Sequence, residues 1–193
     1  MSLNQENKKS VFHPLYFLFA FIMWILVIGW LAVIFSLSSE SADVSSMRSQ
    51  DLVQRIASSL HLYMSEEFLR CCAHVFEYVV LSVLAYISMF ATNHVFADAV
   101  ADFEQKLEKM KNDNEVYIAV SLWITSLVAA ADEYHQIFVS GRSASMFDVF
   151  LDVSGAFVLM LIIRIVVSIY AYMKNRKQVL EMISAETHME EVK

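Results

Sequence analysis

Proline, glycine, cysteine and charged residues are all scarce in this sequence. Its 193 residues include one proline, three glycines and two cysteines, and 18% of them are charged. An average soluble domain has about a quarter charged residues and is about half apolar. Here 58% of the residues are hydrophobic and the mean hydropathy is +0.50. This composition excludes an ordinary soluble domain and favours long membrane helices.

Several functional signatures are also missing. The two cysteines, Cys71 and Cys72, are adjacent, and a disulfide between neighbours would be strained, so we predict no redox site. The sequence contains no phosphate-binding loop, dinucleotide fingerprint, nucleophile elbow or HExxH pair, and no basic patch for nucleic acid. Common nucleotide-dependent and nucleic-acid-binding functions are therefore not indicated.

Four apolar runs are long enough to cross a bilayer, which takes about 20 helical residues. They lie at residues 15–37, 71–91, 116–138 and 147–169. The first run is too long for the core of a cleaved signal peptide, so we predict a retained anchor. The predicted fold class is all-α, a four-transmembrane-helix bundle over residues 15–170. Residues 1–14 precede the bundle, and residues 171–193 form a polar tail that we expect to be loosely ordered.

The basic residues predict the orientation of the bundle in the membrane. Four spans put both termini on one side, and most lysines and arginines outside the spans fall on that side. Because basic residues accumulate on the cytoplasmic side, we predict that both termini are cytoplasmic. The residues that set this orientation are Lys8, Lys9, Lys106, Lys109, Lys111, Lys174, Arg176, Lys177 and Lys193.

Polar and ionisable residues cluster near the outer ends of three spans. With a rise of about 1.5 Å per residue, they fall within roughly 10 Å of one membrane interface. Charges are costly in lipid, so we expect them to share one outward-facing pocket, although polar side chains can also simply hold helices together. The cluster comprises His74, Glu77, Tyr78, Asp132, Glu133, Gln136, Asp148 and Asp152.

Spacing within this cluster predicts contacts. His74, Glu77 and Tyr78 share one helical face, so Glu77 can orient or protonate the imidazole of His74. Gly155 would let a neighbouring helix approach closely, and Gly141 would form a tight turn that directs Arg142 over the bundle. Either bound protons or a divalent cation would complete the acidic cluster, although no metal-binding signature is present.

At these residues the sequence resembles the VanZ-like family, named for a protein associated with teicoplanin resistance. The resemblance covers about residues 15–170 and rests on His74, Glu77 and Tyr78, on the string DEYHQIFVSGR, and on Asp148, Asp152 and Gly155. The family often has proline at the position of Ser140 and asparagine at that of Asp152. The resemblance implies a small multi-pass protein of the bacterial envelope, with glycopeptide tolerance in the named member and no established reaction.

The sequence leaves three functions open. In an envelope enzyme, acid–base chemistry would come from His74, Glu77, Asp132 and Glu133. A phosphate or carboxylate of a lipid-linked or cell-wall substrate would be bound by Gln136, Arg142, Asp148, Asp152 and Tyr78. The alternatives are a non-catalytic ligand-binding or accessory protein and a small transporter. Confinement of the polar residues to the outer half favours an outward site over a path through the membrane.

The loops carry further helical patterns. Leu52, Val53, Ile56 and Leu60 suit one face of a short helix at the membrane surface, which would cap the pocket or rest on lipid headgroups. On the inner side, an apolar stripe at helical spacing predicts a second amphipathic helix. The stripe comprises Phe96, Val100, Phe103, Leu107 and Met110. Serines 36–41 could act as nucleophiles with His74 as the base.

Overall fold

The computed structural model describes residues 10–61, 63–98 and 103–191 of the chain. Within them lie five helices and one two-stranded sheet. The order is β1 (Ser10–Phe12), α1 (Pro14–Ser38), α2 (Ala42–Leu60), α3 (Glu66–Asn93), β2 (Phe96–Asp98), α4 (Phe103–Gln136) and α5 (Met146–Glu191). The helices α1, α3, α4 and α5 are long and apolar enough to cross a membrane. The predicted all-α bundle with four spans is therefore confirmed.

The four spans pack around α3, which contacts α1, α4 and α5. Small residues at these contacts let the helices approach closely, as is typical of membrane bundles. Gly155 of α5 shows this most directly, because a Cβ there would overlap Val75 and lie 3.3 Å from Val79 of α3. The predicted close approach at Gly155 is therefore confirmed. The main core consists of Val27, Ile34, Tyr78, Leu81 and Ala129.

Two helix caps separate α2 from α3: one at the C-terminus of α2 and one at the N-terminus of α3. His61 directly follows α2, and its left-handed backbone (φ 53°) stops the helix. Ser65 caps the start of α3, because its hydroxyl accepts a hydrogen bond from the N–H of Phe68 at 3.2 Å. Glu66 and Glu67 follow in the first turn, where negative charge favours the helix dipole. These signals let α2 fold back over the start of α3.

At the opposite end of the bundle, β1 lies beside β2, and the start of α4 lies beside α5. β1 pairs antiparallel with β2, and Phe12 stacks near Phe96 with ring centroids 5.6 Å apart. Lys174 lies over the ring of Phe103 at 5.7 Å, which brings the start of α4 beside α5. β1, β2, the start of α4 and the part of α5 around Lys174 therefore lie at the same end of the bundle.

Two local predictions were wrong. The separate amphipathic helix of the inner loop does not form: Phe96 lies in β2, Val100 lies outside the described residues, and Phe103, Leu107 and Met110 belong to α4. The polar tail is helical up to Glu191 rather than loosely ordered. In both segments good helix formers continue from an apolar span without glycine or proline, so the established helix extends at little cost.

Candidate functional site

A polar cavity lies at the end of the bundle where α1 and α4 end and α3 begins. Its volume is about 270 Å³. Charged, hydroxyl and apolar side chains contribute together, and they come from every helix except α5. The lining residues are Leu37, Ser38, Ser45, Arg48, Ser49, Leu52, Leu69, Arg70, Ala73, His74, Glu77, Asp132 and Arg142. Six of these are ionisable or charged and lie within or beside the spans, which makes the cavity the candidate site.

The helix α2 forms one wall of the cavity. Ser45, Arg48, Ser49 and Leu52 recur at helical spacing, so one face of α2 points into the space. Arg48 makes a bidentate ion pair with Glu40, the residue two positions beyond the end of α1. Of the two roles predicted for this surface helix, the lining favours the one in which it caps the pocket.

The first turns of α3 supply the opposite wall. Arg70, His74 and Glu77 lie on one face at spacings of four and three residues. The guanidinium of Arg70 donates to the hydroxyl of Ser46 at 3.2 Å, which links α3 to α2. The backbone carbonyl of Glu77 accepts a hydrogen bond from the indole of Trp30 at 2.9 Å. The wall is thereby held against both α1 and α2.

Two adjacent carboxylates at the end of α4, those of Asp132 and Glu133, lie in different environments. Asp132 lines the cavity, is 1% exposed, and accepts a hydrogen bond from the amide of Gln136 at 3.1 Å. Its other oxygen, Oδ1, has no hydrogen-bond partner in the described part of the chain. Glu133 is also buried, but it faces the following loop and accepts from the backbone N–H of Ser145 at 2.7 Å. Only the first of the two carboxylates is placed to meet a ligand.

Arg142 reaches the cavity from the turn between α4 and α5. Gly141 adopts φ +75°, and a Cβ at this position would lie 3.0 Å from the Cβ of Ala42. The N–H of Ala42 donates to the carbonyl of Ser140 at 3.2 Å, so the turn rests on the start of α2. Burial lowers the pKa of the Arg142 guanidinium and nearby Asp132 opposes this, so the side chain stays charged at neutral pH. The predicted turn and the predicted direction of Arg142 agree with the structure.

The remaining predicted site residues lie outside the cavity lining. Tyr78 is fully buried in the main core, and Asp152 is 1% exposed with no hydrogen-bond partner for either carboxylate oxygen among the described residues. Gln136 acts through its bond to Asp132. Asp148 is exposed on the first turn of α5. The structure thus brings His74, Glu77, Asp132 and Arg142 together in the cavity lining. The other predicted site residues do not line the cavity.

Three polar side chains of the site that lie on α2 were not predicted from the sequence. They are Ser45, Arg48 and Ser49. The helical spacing of positions 45, 48, 49 and 52 indicates one shared face, but the prediction for this helix used only its apolar residues. Of the serines predicted as nucleophiles, Ser38 lines the cavity together with His74, whereas Ser39 contacts another histidine, His135. Ser39 lies 3.0 Å from Nε2 of His135 while its hydroxyl donates to the carbonyl of Phe35 at 2.6 Å. That arrangement directs the hydroxyl proton away from the histidine.

A metal site is not apparent in the described ranges. No group of three or more His, Cys, Asp or Glu side chains there is arranged to hold a metal ion. The cavity instead combines two carboxylates, one imidazole and three guanidinium groups. Guanidinium groups bind anions and repel cations, so this lining favours an anionic ligand over a divalent cation.

The fold and the site define a multi-pass membrane protein with one polar cavity at the end of a helical bundle. The sequence profile of the VanZ/LLP1 family matches residues 15–167, which overlap all four spans and include every residue that lines the cavity. The chain therefore belongs to the VanZ/LLP1 family. Comparison with curated proteins finds no match, and comparison with solved structures also finds none.

Proposed function

We propose that this protein binds an anionic component of the bacterial cell envelope in the cavity, on the outer side of the cell membrane. We further propose that this binding contributes to tolerance of the glycopeptide antibiotic teicoplanin. The observation that carries the proposal is the arginine content of the cavity. Arg48, Arg70 and Arg142 line it together with two carboxylates, Glu77 and Asp132, so guanidinium groups outnumber carboxylates in the lining.

The three arginines are not equivalent. Arg48 is neutralised by Glu40, and its role is to hold α2 against the end of α1. Arg70 and Arg142 make no ion pair within residues 10–61, 63–98 and 103–191. A half-buried guanidinium without a carboxylate in contact is costly to maintain, and an incoming anion would lower that cost. These two side chains are therefore the proposed anion-binding groups.

The orientation of the cavity is supported by the distribution of basic residues. Lysines and arginines concentrate at the other end of the bundle, which by the positive-inside rule is cytoplasmic. The cavity then opens toward the cell wall, where glycopeptide antibiotics and their targets are found. This placement supports an envelope ligand over a cytoplasmic metabolite.

An enzyme that acts on the same ligand is the second candidate. His74, Glu77 and Asp132 line the cavity, and Nδ1 of His74 has no hydrogen-bond partner among the described residues. An imidazole with one free nitrogen beside two carboxylates has the groups that acid–base catalysis needs. Release of a product from labelled envelope lipids by the wild type, and its loss in His74→Ala, would establish turnover.

Transport is not favoured, because four buried hydroxyls in the middle of the bundle form hydrogen bonds within their own helices. The hydroxyls of Ser82, Ser88, Ser121 and Thr125 each donate to a backbone carbonyl three or four residues earlier. These buried side chains therefore present no row of free polar groups that leads from the cavity to the opposite end. A proton or solute path would require such groups.

Antibiotic susceptibility tests the proposed function. The wild type, Arg142→Gln and Arg55→Gln would be produced at matched membrane levels in a teicoplanin-sensitive bacterium. Arg55 is a suitable control because it is exposed on α2 and pairs with Asp51 within the same helix. We expect the wild type and Arg55→Gln to raise the inhibitory concentration and Arg142→Gln to lose the effect. Equal protection by all three proteins would show that the function does not require the cavity. Absence of protection by the wild type would refute the link to teicoplanin.

A further inference from the structure

We infer that the ligand of the cavity is a lipid phosphate whose phosphate-bearing headgroup enters the cavity while its hydrocarbon chain stays in the bilayer. This inference rests on the proposed binding function and narrows it to one ligand class. It depends on two features of the lining: hydrogen-bond donors without an ion-pair partner, and an apolar edge that reaches the surface of the protein.

The donors fit an anion with several oxygens. Arg70 and Arg142 have no ion-pair partner in the described part of the chain, and Nε of Arg70 is buried without a hydrogen bond. The hydroxyl of Ser38, which is 3% exposed, also lines the space without a partner. Two guanidinium groups and a hydroxyl offer more donors than one carboxylate group readily accepts, whereas a phosphate has three terminal oxygens.

The charge of the ligand separates a phosphate from a carboxylate. Arg70 and Arg142 both line the cavity and make no ion pair in the described part of the chain. A phosphate monoester, whose second pKa is about 6, carries close to two negative charges at neutral pH, whereas a carboxylate carries one. A phosphate monoester therefore matches the two guanidinium groups in charge as well as in number of acceptor oxygens.

The apolar edge explains why the ligand would be a lipid. Leu37, Leu52 and Leu69 line the cavity next to the charged groups. Leu52 is also 45% exposed, so the cavity reaches the surface of α2 at this residue. At about 270 Å³ the cavity lies at the lower limit of typical ligand pockets, which run from about 300 Å³ upward, and has no room for a long chain. The headgroup fits inside, and the chain would continue over Leu52 into the bilayer.

Lipid binding by the purified full-length chain tests this inference. The protein in detergent micelles would be titrated with phosphatidic acid, phosphatidylcholine, oleic acid and inorganic phosphate. These ligands present a lipid phosphate monoester, a blocked lipid phosphate, a lipid carboxylate and a soluble phosphate. We expect phosphatidic acid to bind at least about tenfold more tightly than each of the others, because only it combines the chain with the full set of phosphate contacts.

Matched variants identify the binding groups. Arg70→Gln and Arg142→Gln should each weaken phosphatidic acid binding by about tenfold or more, since each removes charge-assisted hydrogen bonds. Arg55→Gln, on the exposed side of α2, should bind as the wild type does. Arg142→Lys keeps the charge and loses the bidentate geometry, so it should fall between the wild type and Arg142→Gln. Helix content and gel-filtration profiles would show that each variant is folded, and Arg142→Lys decides the outcome if the glutamine variants are not.

Several results would overturn the inference. Equal binding of phosphatidic acid and phosphatidylcholine would show a general lipid surface, and tighter binding of oleic acid would show a carboxylate site. Inorganic phosphate binding as tightly as phosphatidic acid would show a soluble ligand. If phosphatidic acid does not bind but Arg142→Gln still abolishes teicoplanin protection, the lipid phosphate is wrong and the proposed function stands. If phosphatidic acid binds as expected but protection is never seen, the link to teicoplanin fails and the ligand class stands.

Discussion

The side chain of Glu133 accepts a hydrogen bond from the backbone N–H of Ser145 at 2.7 Å, and this contact ties the end of α4 to the start of α5. Ser145 in turn begins α5, because its hydroxyl accepts from the N–H of Phe147 at 3.2 Å and its carbonyl accepts from that of Asp148 at 3.1 Å. The loop between these anchors carries Arg142. Glu133 therefore acts on the cavity by fixing the loop, and it does not line the cavity itself.

This role predicts different effects for two substitutions of Glu133. Glu133→Ala should lower the free energy of unfolding by about 1–3 kcal/mol, because the buried N–H of Ser145 loses its acceptor. Glu133→Gln keeps an acceptor oxygen, so it should cost less than about 1 kcal/mol and preserve teicoplanin protection. Denaturant unfolding in mixed micelles and susceptibility tests would measure both. A stable Glu133→Gln protein without protection would instead restore the catalytic role that the sequence predicted.

The contact at Gly155 predicts a second pair of effects. Gly155→Ala should destabilise the bundle by about 1–3 kcal/mol, because its Cβ would overlap Val75 and push α5 away from α3. Gly29→Ala is the matched control, since no atom lies within 4 Å of a Cβ at that position on α1. The control should be neutral or slightly stabilising. Thermal unfolding of both variants in the same detergent would measure the difference, and equal melting temperatures would show that α3 and α5 are not in close contact.

The buried carboxylate of Asp152 predicts a stabilising substitution. Neither of its oxygens has a hydrogen-bond partner among the described residues, and the VanZ-like family often has asparagine there. Asp152→Asn should therefore leave stability unchanged or raise it by about 1–3 kcal/mol, since a neutral amide of the same size avoids the cost of ionising a carboxyl group in the core. Asp51→Asn, at an exposed ion pair on α2, should change stability by less than about 1 kcal/mol. Loss of more than about 1 kcal/mol in Asp152→Asn would mean that the charged form has a required partner.

Local patterns predicted part of the site correctly. The turn at Gly141, the helical face of His74 and Glu77, and the close approach at Gly155 depend on residues a few positions apart or on the size of one residue. The separation of Asp132 from Glu133 could not be predicted in the same way. Adjacent residues on a helix point about 100° apart, and which of them faces the cavity depends on how α4 is rotated against α3 and α2. That rotation is set by packing between helices that are distant in the sequence.

The sequence by itself determined the four membrane spans, because each is a run of apolar residues whose backbone must satisfy its own hydrogen bonds in lipid. It also determined that the ionisable residues gather at one end of the bundle, because helix length and direction alone fix their depth. Only the tertiary structure decided that α2 folds over this end and brings Arg48 and the two serines into the cavity. It also decided that, within the described ranges, Arg70 and Arg142 make no ion pair, since ion pairing depends on which helices meet in space.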